Sequence, residues 1–485
     1  MNRTNHRRNE KSITSGGSDF LQLDVTQAPT GGRGVWLATR LRQAIADGHL
    51  PVGSLLPATR VLAVELGVSR GVVTDAYQRL VEDGHVAGRG RGGTVVVAAP
   101  VSVPRKEKDQ APQSLPPARI DLSPGVPDLA SFPASAWLRA ERAAFHALVP
   151  NDLGYGDPRG APAMRRAVAH WLARNRGIAA DPDEVIITAG VTQGLVLLTQ
   201  VMRANGIDTV AVEDPGSFGV RDHLRALGLK TPPIRVDGDG LRVADLRDSG
   251  APVVKVTPAH QFPMGVVLSG QRRRELMAWA AGEGGLVIED DYDAEHRYGR
   301  PPVPALRSVM PQHVCYAGSV SKLLAPALRI GWVLVPQRFH EAMVAAKRTA
   351  DLGNATLGQL VLAGLMNNGD LERHLRVLRR RHMRRRDAML EAIGRLLPGA
   401  VVHGSAAGLH LTITFTGRMV RVSDTALATA ALARGVKVQP LSWHRQQPGE
   451  SGLVLGYAAN PPSEIEEGIA VVAAIERALQ TAQPG

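Results

Sequence analysis

A lysine that follows two hydroxyl side chains and precedes an arginine is the first group of residues that could carry chemistry. Ser319 and Ser321 precede Lys322, and Arg329 follows seven residues later, in a loop between two short apolar runs. Hydroxyl donors and a guanidinium bind a phosphate through charge-assisted hydrogen bonds. A lysine amine that is partly desolvated beside another cation loses its proton and becomes a nucleophile toward an aldehyde. The pattern indicates a cofactor that carries a phosphate and an aldehyde. An ordinary polar loop is the alternative.

A cluster of carboxylates lies upstream of this lysine. Residues 286–293 read Leu-Val-Ile-Glu-Asp-Asp-Tyr-Asp, which predicts a buried strand that ends in acids. Paired acids at a strand end can bind a metal, but no histidine or cysteine stands at ligand spacing nearby. Asp290, followed two residues later by Tyr292, suits pyridoxal phosphate better: the carboxylate would keep the pyridine nitrogen protonated and the phenol would bond the 3-oxygen of the ring. We therefore predict pyridoxal phosphate and no metal.

Together these residues resemble the site of the fold-type I (class I) aminotransferases, with Lys322 as the cofactor lysine. Residues 289–298, E-D-D-Y-D-A-E-H-R-Y, and residues 257–265, T-P-A-H-Q-F-P-M-G, are similar to the MocR (GabR-like) transcription regulators, including PdxR-like members. Those regulators join a GntR-type winged helix to an aminotransferase-like domain. The resemblance runs from about Gly34 to the end of the chain, apart from a linker.

The resemblance implies contacts to the cofactor phosphate. Val191 and Thr192 match the family's phosphate turn, where a strand, a small-residue turn and a helix direct backbone N–H groups at an anion. Tyr155 matches an entry-loop tyrosine that reaches the phosphate held by the neighbouring subunit. A loop aromatic without such a role is the alternative for Tyr155.

Two further residues correspond less directly to the family pattern. The family usually stacks an aromatic on the pyridine ring, but this chain has Ser217 at that position and Phe218 one residue later. We include Phe218 as the stacking candidate. His260 stands in the loop where aminotransferases generally use asparagine to bond the 3-oxygen, and a solvated loop histidine is the alternative.

The N-terminal part of the chain predicts a helix-turn-helix with a wing. Apolar residues at helical spacing run from Gly34 to Gly48, and two further short helices are separated by a turn at Gly67. Residues 86–97 read as a hairpin with a basic, glycine-rich tip. This is the helix-turn-helix outline; a small helical protein-binding module is the alternative. The segments L-P-A-T-R-V-L-A and G-V-S-R-G-V-V-T-D-A-Y-Q-R-L are similar to the GntR winged helix.

That similarity implies contacts to double-stranded operator DNA. Arg60 would hold a phosphate, and Arg89 and Arg91 would place the wing in or beside the minor groove. The recognition helix would present three side chains to the major groove: Ser69, Arg70 and Thr74.

Composition sets limits on the class of protein. A chain of 485 residues exceeds the usual size of one domain, and a net charge of +12 suggests a polyanionic partner. The single cysteine excludes an internal disulfide and a cysteine zinc site, which favours the cytoplasm. No apolar run approaches the roughly 20 residues of a membrane span.

We therefore expect a multi-domain protein with an α/β aminotransferase-like domain and a smaller C-terminal α+β subdomain. The predicted ranges are a disordered tail at 1–19, the winged helix at 20–99, a Pro-rich linker at 100–119 and the aminotransferase-like domain at 120–485. Residues 371–386 contain eight arginines around a predicted helix. They form either a solvated helix face or an auxiliary patch that contacts DNA phosphates.

Two functions compete: an aminotransferase that carries a DNA-binding domain, and a regulator whose aminotransferase-like domain senses a ligand. In the fold, an arginine before a Leu-Gly-aromatic step binds the substrate α-carboxylate, and this chain has Val454 there. Without that guanidinium an amino acid loses a bidentate ion pair and its orientation. The sequence therefore favours the regulator and predicts little or no transamination.

The same missing arginine bears on the effector. We expect pyridoxal phosphate itself to be the signal, as in family members that control vitamin B6 synthesis; an amine or amino acid such as GABA is the alternative. The resemblance also implies a homodimer, with a domain-swapped arrangement as one form of it.

Overall fold

The computed structural model describes residues 23–99, 118–298, 303–417, 419 and 422–481. The chain divides into two compact units between Leu115 and Pro116. The predicted tail at 1–19 and all but the last two residues of the predicted linker at 100–119 lie outside the described residues. Within the described part of the chain, no helix combines the length and apolar character that a membrane crossing requires.

The smaller unit is a winged helix. Its helices are α1 (Arg33–Ala46), α2 (Thr59–Glu65) and α3 (Arg70–Glu82). Its short strands are β1 (Leu55–Leu56), β2 (Val86–Gly88) and β3 (Thr94–Val96), paired antiparallel in the order β1-β3-β2. Apolar residues at helical spacing, such as Leu41 in α1 and Val73 and Leu80 in α3, are buried together in one core. The predicted helix-turn-helix and wing are confirmed.

An eight-stranded sheet organises the larger unit. After β4 (Ile120–Asp121), its strands are β5 (Ile186–Thr188), β6 (Ala211–Asp214), β7 (Pro233–Asp237), β8 (Gly240–Leu241), β9 (Val253–Val256), β10 (Leu286–Asp291), β11 (Val314–Ser319) and β12 (Gly331–Leu334). Their order across the sheet is β5-β12-β11-β10-β9-β6-β7-β8. The five neighbours β11, β10, β9, β6 and β7 are parallel, whereas β8 and β12 are antiparallel to the strands beside them.

Helices cover both faces of this sheet. They are α4 (Ala134–Ala147), α5 (Pro162–Arg176), α6 (Val191–Ala204), α7 (Phe218–Ala226), α8 (Val243–Ser249), α9 (Gly270–Glu283), α10 (Gln337–Asp351), α11 (Thr356–Asn367) and α12 (Asp370–Leu396). Successive strand residues point to opposite faces. Trp332 accordingly packs in one core with Trp171 of α5, and Val333 packs in another with Leu198 of α6. The α/β class is confirmed.

A smaller subdomain follows. Its elements are β13 (Ala400–His403), β14 (His410–Phe415), α13 (Asp424–Ala433), β15 (Val436–Lys437), β16 (Gln439–Pro440), β17 (Gly452–Gly456) and α14 (Pro462–Thr481). Four strands form an antiparallel sheet in the order β13-β14-β17-β16. The strand β15 pairs in parallel with β4, so Ile120 and Leu122 from the start of the unit are part of the subdomain core.

The arginine-rich segment forms the first part of α12. Its three leucines, Leu371, Leu375 and Leu378, are buried, whereas most of the eight arginines are exposed. Arg385 instead lies 2.9 Å from the buried carboxylate of Asp128, and the Arg386 guanidinium lies 4.6 Å from the centre of the Tyr298 ring. The solvated face therefore describes most of the arginines, and contact with DNA phosphates stays a prediction.

A buried ion pair attaches α5 to the central strand β10. Arg176 Nε lies 2.5 Å from Asp291 Oδ2, and the two side chains are 1% and 2% exposed. We expect Arg176→Ala to reduce the free energy of unfolding by about 3–5 kcal/mol, because it leaves an uncompensated buried charge. Arg174→Ala is the matched control, since the Arg174 side chain is 54% exposed in its ion pair with Glu372. This substitution should reduce the free energy of unfolding by less than about 1 kcal/mol. Urea unfolding followed by tryptophan fluorescence measures both; equal losses would contradict this assignment.

Candidate cofactor site and nucleic-acid interface

A cavity of about 420 Å³ lies outside the carboxyl ends of the parallel strands β6, β9, β10 and β11. Open α/β sheets bind ligands at this edge, because loops diverge from the strand ends there. Most of the predicted cofactor contacts line the cavity together: Val191, Thr192, Phe218, Asp290, Tyr292, Ser319, Ser321, Lys322 and Arg329. The structure therefore brings together residues that the sequence places in four separate segments.

Lys322 follows β11 and extends into the cavity. Its ammonium donates a hydrogen bond to the carbonyl oxygen of Gly125. Gly125 has φ +80°, and a Cβ added there would lie 3.1 Å from Lys322 Nζ, so glycine leaves room for the amine. Burial lowers the pKa of Lys322 below its ordinary value, while Asp293 and Asp290 act in the opposite direction. A lowered pKa makes the neutral, nucleophilic amine more accessible.

Another part of the cavity wall has the features of an anion site. Val191 and Thr192 are the first residues of α6, where backbone N–H groups and the helix dipole favour negative charge. Gly190 precedes them with φ +81°, and a Cβ there would lie 3.1 Å from the Arg329 guanidinium. Arg329 donates to the carbonyl oxygen of Ala189, which keeps its side chain beside this turn. These groups fit a phosphate.

The acids of β10 do not converge on one point. Asp290 Oδ2 lies 2.8 Å from Lys255 Nζ on the cavity side, whereas Asp291 pairs with Arg176. Glu289 accepts hydrogen bonds from the backbone N–H groups of Leu306 and Arg307, at 2.9 and 3.0 Å, and burial raises its pKa to about 7. Because neighbouring strand residues point to opposite faces, each carboxylate has a partner of its own. The arrangement does not resemble a metal site.

Tyr292 is held by a pair of residues behind the cavity wall. Its hydroxyl donates to the carbonyl oxygen of His260 at 3.0 Å, and His260 Nδ1 lies 2.8 Å from Asp293 Oδ2. Burial raises the pKa of Tyr292 well above its ordinary value, and the Asp293 charge adds to this effect, so the phenol stays a donor. His260 is 1% exposed and does not line the cavity. The solvated-loop alternative for His260 is therefore wrong, and its contact with the cofactor stays a prediction.

Three buried side chains in this region have the composition of a metal site. The ligand atoms of His260, Asp293 and His410 all lie within 4.8 Å of one another. Each side chain already has a protein partner, since His260 bonds Asp293 and His410 Nε2 lies 3.1 Å from the carbonyl oxygen of Pro263. We interpret the cluster as packing behind Tyr292.

Phe218 and Tyr155, two of the predicted cofactor contacts, differ in their relation to the cavity. Phe218 lines the cavity at the start of α7 with its ring edge toward His444, at a centroid distance of 5.2 Å. Ser217 is the N-cap of the same helix and accepts from the backbone N–H of Val220 at 3.3 Å. Tyr155 is 92% exposed and does not line the cavity of its own chain. The stacking role of Phe218 and the role of Tyr155 in a neighbouring subunit stay predictions.

The sequence did not identify several residues that line the cavity. Lys255 had a detectable signal, because it is the one charge within the strand Val253–Val256. Gln439 and His444 come from the C-terminal subdomain, and Gly125 comes from the start of the unit. No local motif marks these three, since only the fold brings them to the cavity.

The smaller unit presents the predicted DNA contacts on one helix and its surroundings. The helix α3 buries Val73 and Leu80, and the predicted contacts at its N-terminus and around it are exposed: Arg60, Ser69, Arg70, Thr74 and Arg89. Ser69 is the N-cap of α3, and Thr74 Oγ1 donates to the Arg70 carbonyl oxygen at 2.9 Å. The side chain of Arg91 lies outside the described residues. The exposed side chains at the start of α3 are polar or basic, as expected of a recognition helix that enters the major groove.

Both units match known families. Residues 36–96 match the family described as bacterial regulatory proteins, gntR family, and residues 118–472 match the family described as aminotransferase class I and II.

Curated relatives share both parts. The chain is 33% identical over 433 residues to the HTH-type pyridoxine biosynthesis transcriptional regulator PdxR of Corynebacterium glutamicum, covering 87% of this chain and 91% of the relative. It is 30% identical over 458 residues to the probable rhizopine catabolism regulatory protein MocR of Rhizobium meliloti, covering 89% and 91%. Among solved structures, the multiple substrate aminotransferase of Thermococcus profundus superposes with a TM-score of 0.68 at 26% identity, covering 75% of this chain and 92% of that one.

The position of Lys322 leads to a direct test. We expect purified protein with pyridoxal phosphate to show the visible absorption of a lysine-bound cofactor, and Lys322→Ala to abolish it because the only change is loss of the reacting amine. Lys230→Ala is the control, since Lys230 pairs with Asp208 on the surface away from the cavity. Absorption spectra with circular dichroism as a fold check measure this; an unchanged spectrum in Lys322→Ala would end the assignment.

Proposed function

Since the chain belongs to the aminotransferase class I and II family and carries a GntR-type winged helix, as the MocR/PdxR-type transcription regulators do, we propose that its larger unit binds pyridoxal phosphate and uses it to control DNA binding. The observation that carries this proposal is the single cavity lined by Lys322, Asp290, Tyr292 and Arg329. The winged helix supplies the DNA-binding surface.

Each part of the cavity has a role toward the cofactor. When bound, pyridoxal phosphate supplies an electrophilic aldehyde, and its ring accepts electrons to the extent that the ring nitrogen is protonated. Lys322 would attach to the aldehyde, and Arg329 with the N-terminus of α6 would hold the phosphate. Asp290 would face the ring nitrogen, and the Tyr292 hydroxyl would turn from the His260 carbonyl oxygen to donate to the 3-oxygen.

The cavity supports sensing rather than transamination. Val454 is fully buried in β17, opposite Thr412 of β14 and Gln439 of β16. Among the described residues that line the cavity, Arg329 is the one arginine, and it lies at the phosphate end. An amino acid therefore has no guanidinium to fix its α-carboxylate within this cavity, and orientation of the reacting bond is lost. An active aminotransferase with an appended DNA-binding domain is the alternative.

The proposed effector is pyridoxal phosphate itself. The relative from Corynebacterium glutamicum is named a regulator of pyridoxine biosynthesis, which supports control of vitamin B6 synthesis. An amine or amino acid such as GABA is the second candidate, because a lysine-bound aldehyde exchanges with free amines. We propose that the regulator acts in the cytoplasm, where its DNA target lies.

We propose a homodimer as the functional form. The exposed Tyr155 would complete the phosphate site of the partner subunit, and a symmetric pair would present two winged helices to a repeated operator. A domain-swapped pair satisfies the same requirement.

DNA binding tests this function. Arg70→Ala should cost roughly 1–3 kcal/mol of operator affinity and relax sequence preference, because Arg70 lies at the exposed start of α3. Arg89→Ala should weaken binding to all duplexes evenly and reduce the salt slope by about 1. Binding of the full chain to a selected duplex is measured by fluorescence anisotropy, with and without pyridoxal phosphate. The cofactor should change the affinity of the parent and leave that of Lys322→Ala unchanged.

A matched control exists on the same helix. Arg79 lies nine residues after Arg70, which places it on the opposite face of α3, where it pairs with Asp75 at 3.0 Å. Arg79→Ala should therefore leave DNA affinity unchanged. Equal affinity of the parent, Arg70→Ala and Arg89→Ala would reject this interface, and identical cofactor effects in parent and Lys322→Ala would reject cofactor control.

The missing carboxylate site leads to a second measurement. We compare an α-amino acid with the corresponding amine, in which hydrogen replaces the carboxylate. Because no guanidinium binds the carboxylate, the concentrations of the two compounds that change the visible spectrum should differ by less than about tenfold, which corresponds to about 1.4 kcal/mol of binding free energy. Neither should convert the cofactor to its amine form rapidly. An aminotransferase assayed in parallel is the positive control. Rapid conversion by an amino acid, followed by turnover with a keto acid, would favour the enzyme.

A further inference from the structure

Lys255 is a buried cation in the centre of the sheet. It lies in β9, between β10 and β6, and its neighbours in the strand are valines. The residue is 4% exposed, although strands covered on both faces are usually apolar throughout. A charged lysine in this position requires an anion within reach.

That anion is the carboxylate of Asp290, which would face the ring of the proposed cofactor. Lys255 is opposite Ile288 in the parallel register, and Asp290 lies two residues further along β10, so both side chains emerge on the same face. Lys255 Nζ and Asp290 Oδ2 are 2.8 Å apart, with side chains 5% and 10% exposed. Both residues line the cavity. The pair is therefore shielded from solvent and from salt.

A second carboxylate nearby has other partners. Glu213 of β6 accepts hydrogen bonds from Thr257 Oγ1 at 2.7 Å and from the Thr257 backbone N–H at 3.2 Å. Burial raises the pKa of Glu213, and Lys255 acts in the opposite direction. Asp290 is thus the carboxylate in direct contact with Lys255, while Glu213 contributes at longer range.

A carboxylate that already pairs with a cation stabilises a second cation less. Protonation of a pyridine nitrogen creates a positive charge, which an adjacent carboxylate favours and a nearby ammonium opposes. In this cavity the ring nitrogen would share Asp290 with Lys255. The proton on the ring nitrogen therefore loses much of the stabilisation that Asp290 alone would provide.

We propose that Lys255 occupies Asp290 and keeps the ring nitrogen of bound pyridoxal phosphate unprotonated; this inference rests on the proposed cofactor binding. An unprotonated ring accepts electrons poorly, so removal of a proton from a bound amine is slow. The aldehyde still reacts with amines, because that reaction needs Lys322 and Tyr292 rather than the ring charge. Lys255 is in this view a positioning residue that favours detection of ligands over their conversion.

The protonation state of the ring nitrogen tests this role. The full chain is loaded with pyridoxal phosphate labelled with ¹⁵N in the ring, loading is verified by visible absorption, and the ¹⁵N chemical shift is recorded. We expect an unprotonated nitrogen in the parent and a protonated one in Lys255→Met, which removes the ammonium and keeps a chain of similar length. The ratio of protonated to unprotonated nitrogen should change by at least about tenfold, one pKa unit.

Two control variants accompany the test. Lys255→Arg retains a cation and should keep the parental shift, and Lys230→Met removes a surface cation and should change nothing. A protonated nitrogen in the loaded parent would overturn the inference even if Lys255→Met did not fold. An unchanged shift in a loaded Lys255→Met would do the same. A parent without the visible absorption would instead reject the proposed cofactor binding, and the inference with it.

Discussion

The need of every buried charge for a partner is the constraint on which the larger unit depends. Removal of one partner leaves a charge in a medium of low dielectric, which costs several kcal/mol. At the end of β10 this need is met four times within five residues: Asp291 pairs with Arg176, Glu289 with backbone N–H groups, Asp290 with Lys255, and Asp293 with His260. These pairings attach α5, β9 and the loop after β9 to the same strand end.

Neighbouring side chains of β10 point to opposite faces of the sheet, so one carboxylate makes a structural ion pair and the next one lines the cavity. Asp291 points away from the cavity toward a helix, whereas Asp290 points into it. A shift of one residue would exchange the two, so the register of β10 with β9 and β11 determines which carboxylate meets a ligand. The fold supports both enzymes and regulators, because function depends on the residues of a site rather than on the fold that carries it. In β17, Val454 is fully buried opposite Thr412 of β14 and Gln439 of β16.

Local order in the sequence was sufficient to predict that Lys322, Asp290 and Tyr292 lie together. Each stands at or just after the end of an apolar strand, and parallel strands end at one edge of a sheet, so the three line one cavity. His260 was predicted to contact the cofactor or the solvent. It is buried against Asp293, and Gly408 leaves room for it because a Cβ there would collide with its ring, so the solvent alternative is wrong and the cofactor contact stays a prediction.

The sequence by itself determined the two families, the order of strands and helices, and the residue types at the strand ends, because these follow from short-range periodicity and from motifs of contiguous residues. Only the tertiary structure decided which charge pairs with which, that β4 joins the C-terminal subdomain, and that Lys255 lies against Asp290. Such pairings depend on strand register and on contacts between residues far apart in the chain. The free energy of a buried charge is set by those distant neighbours, and a sequence read along its length does not specify them.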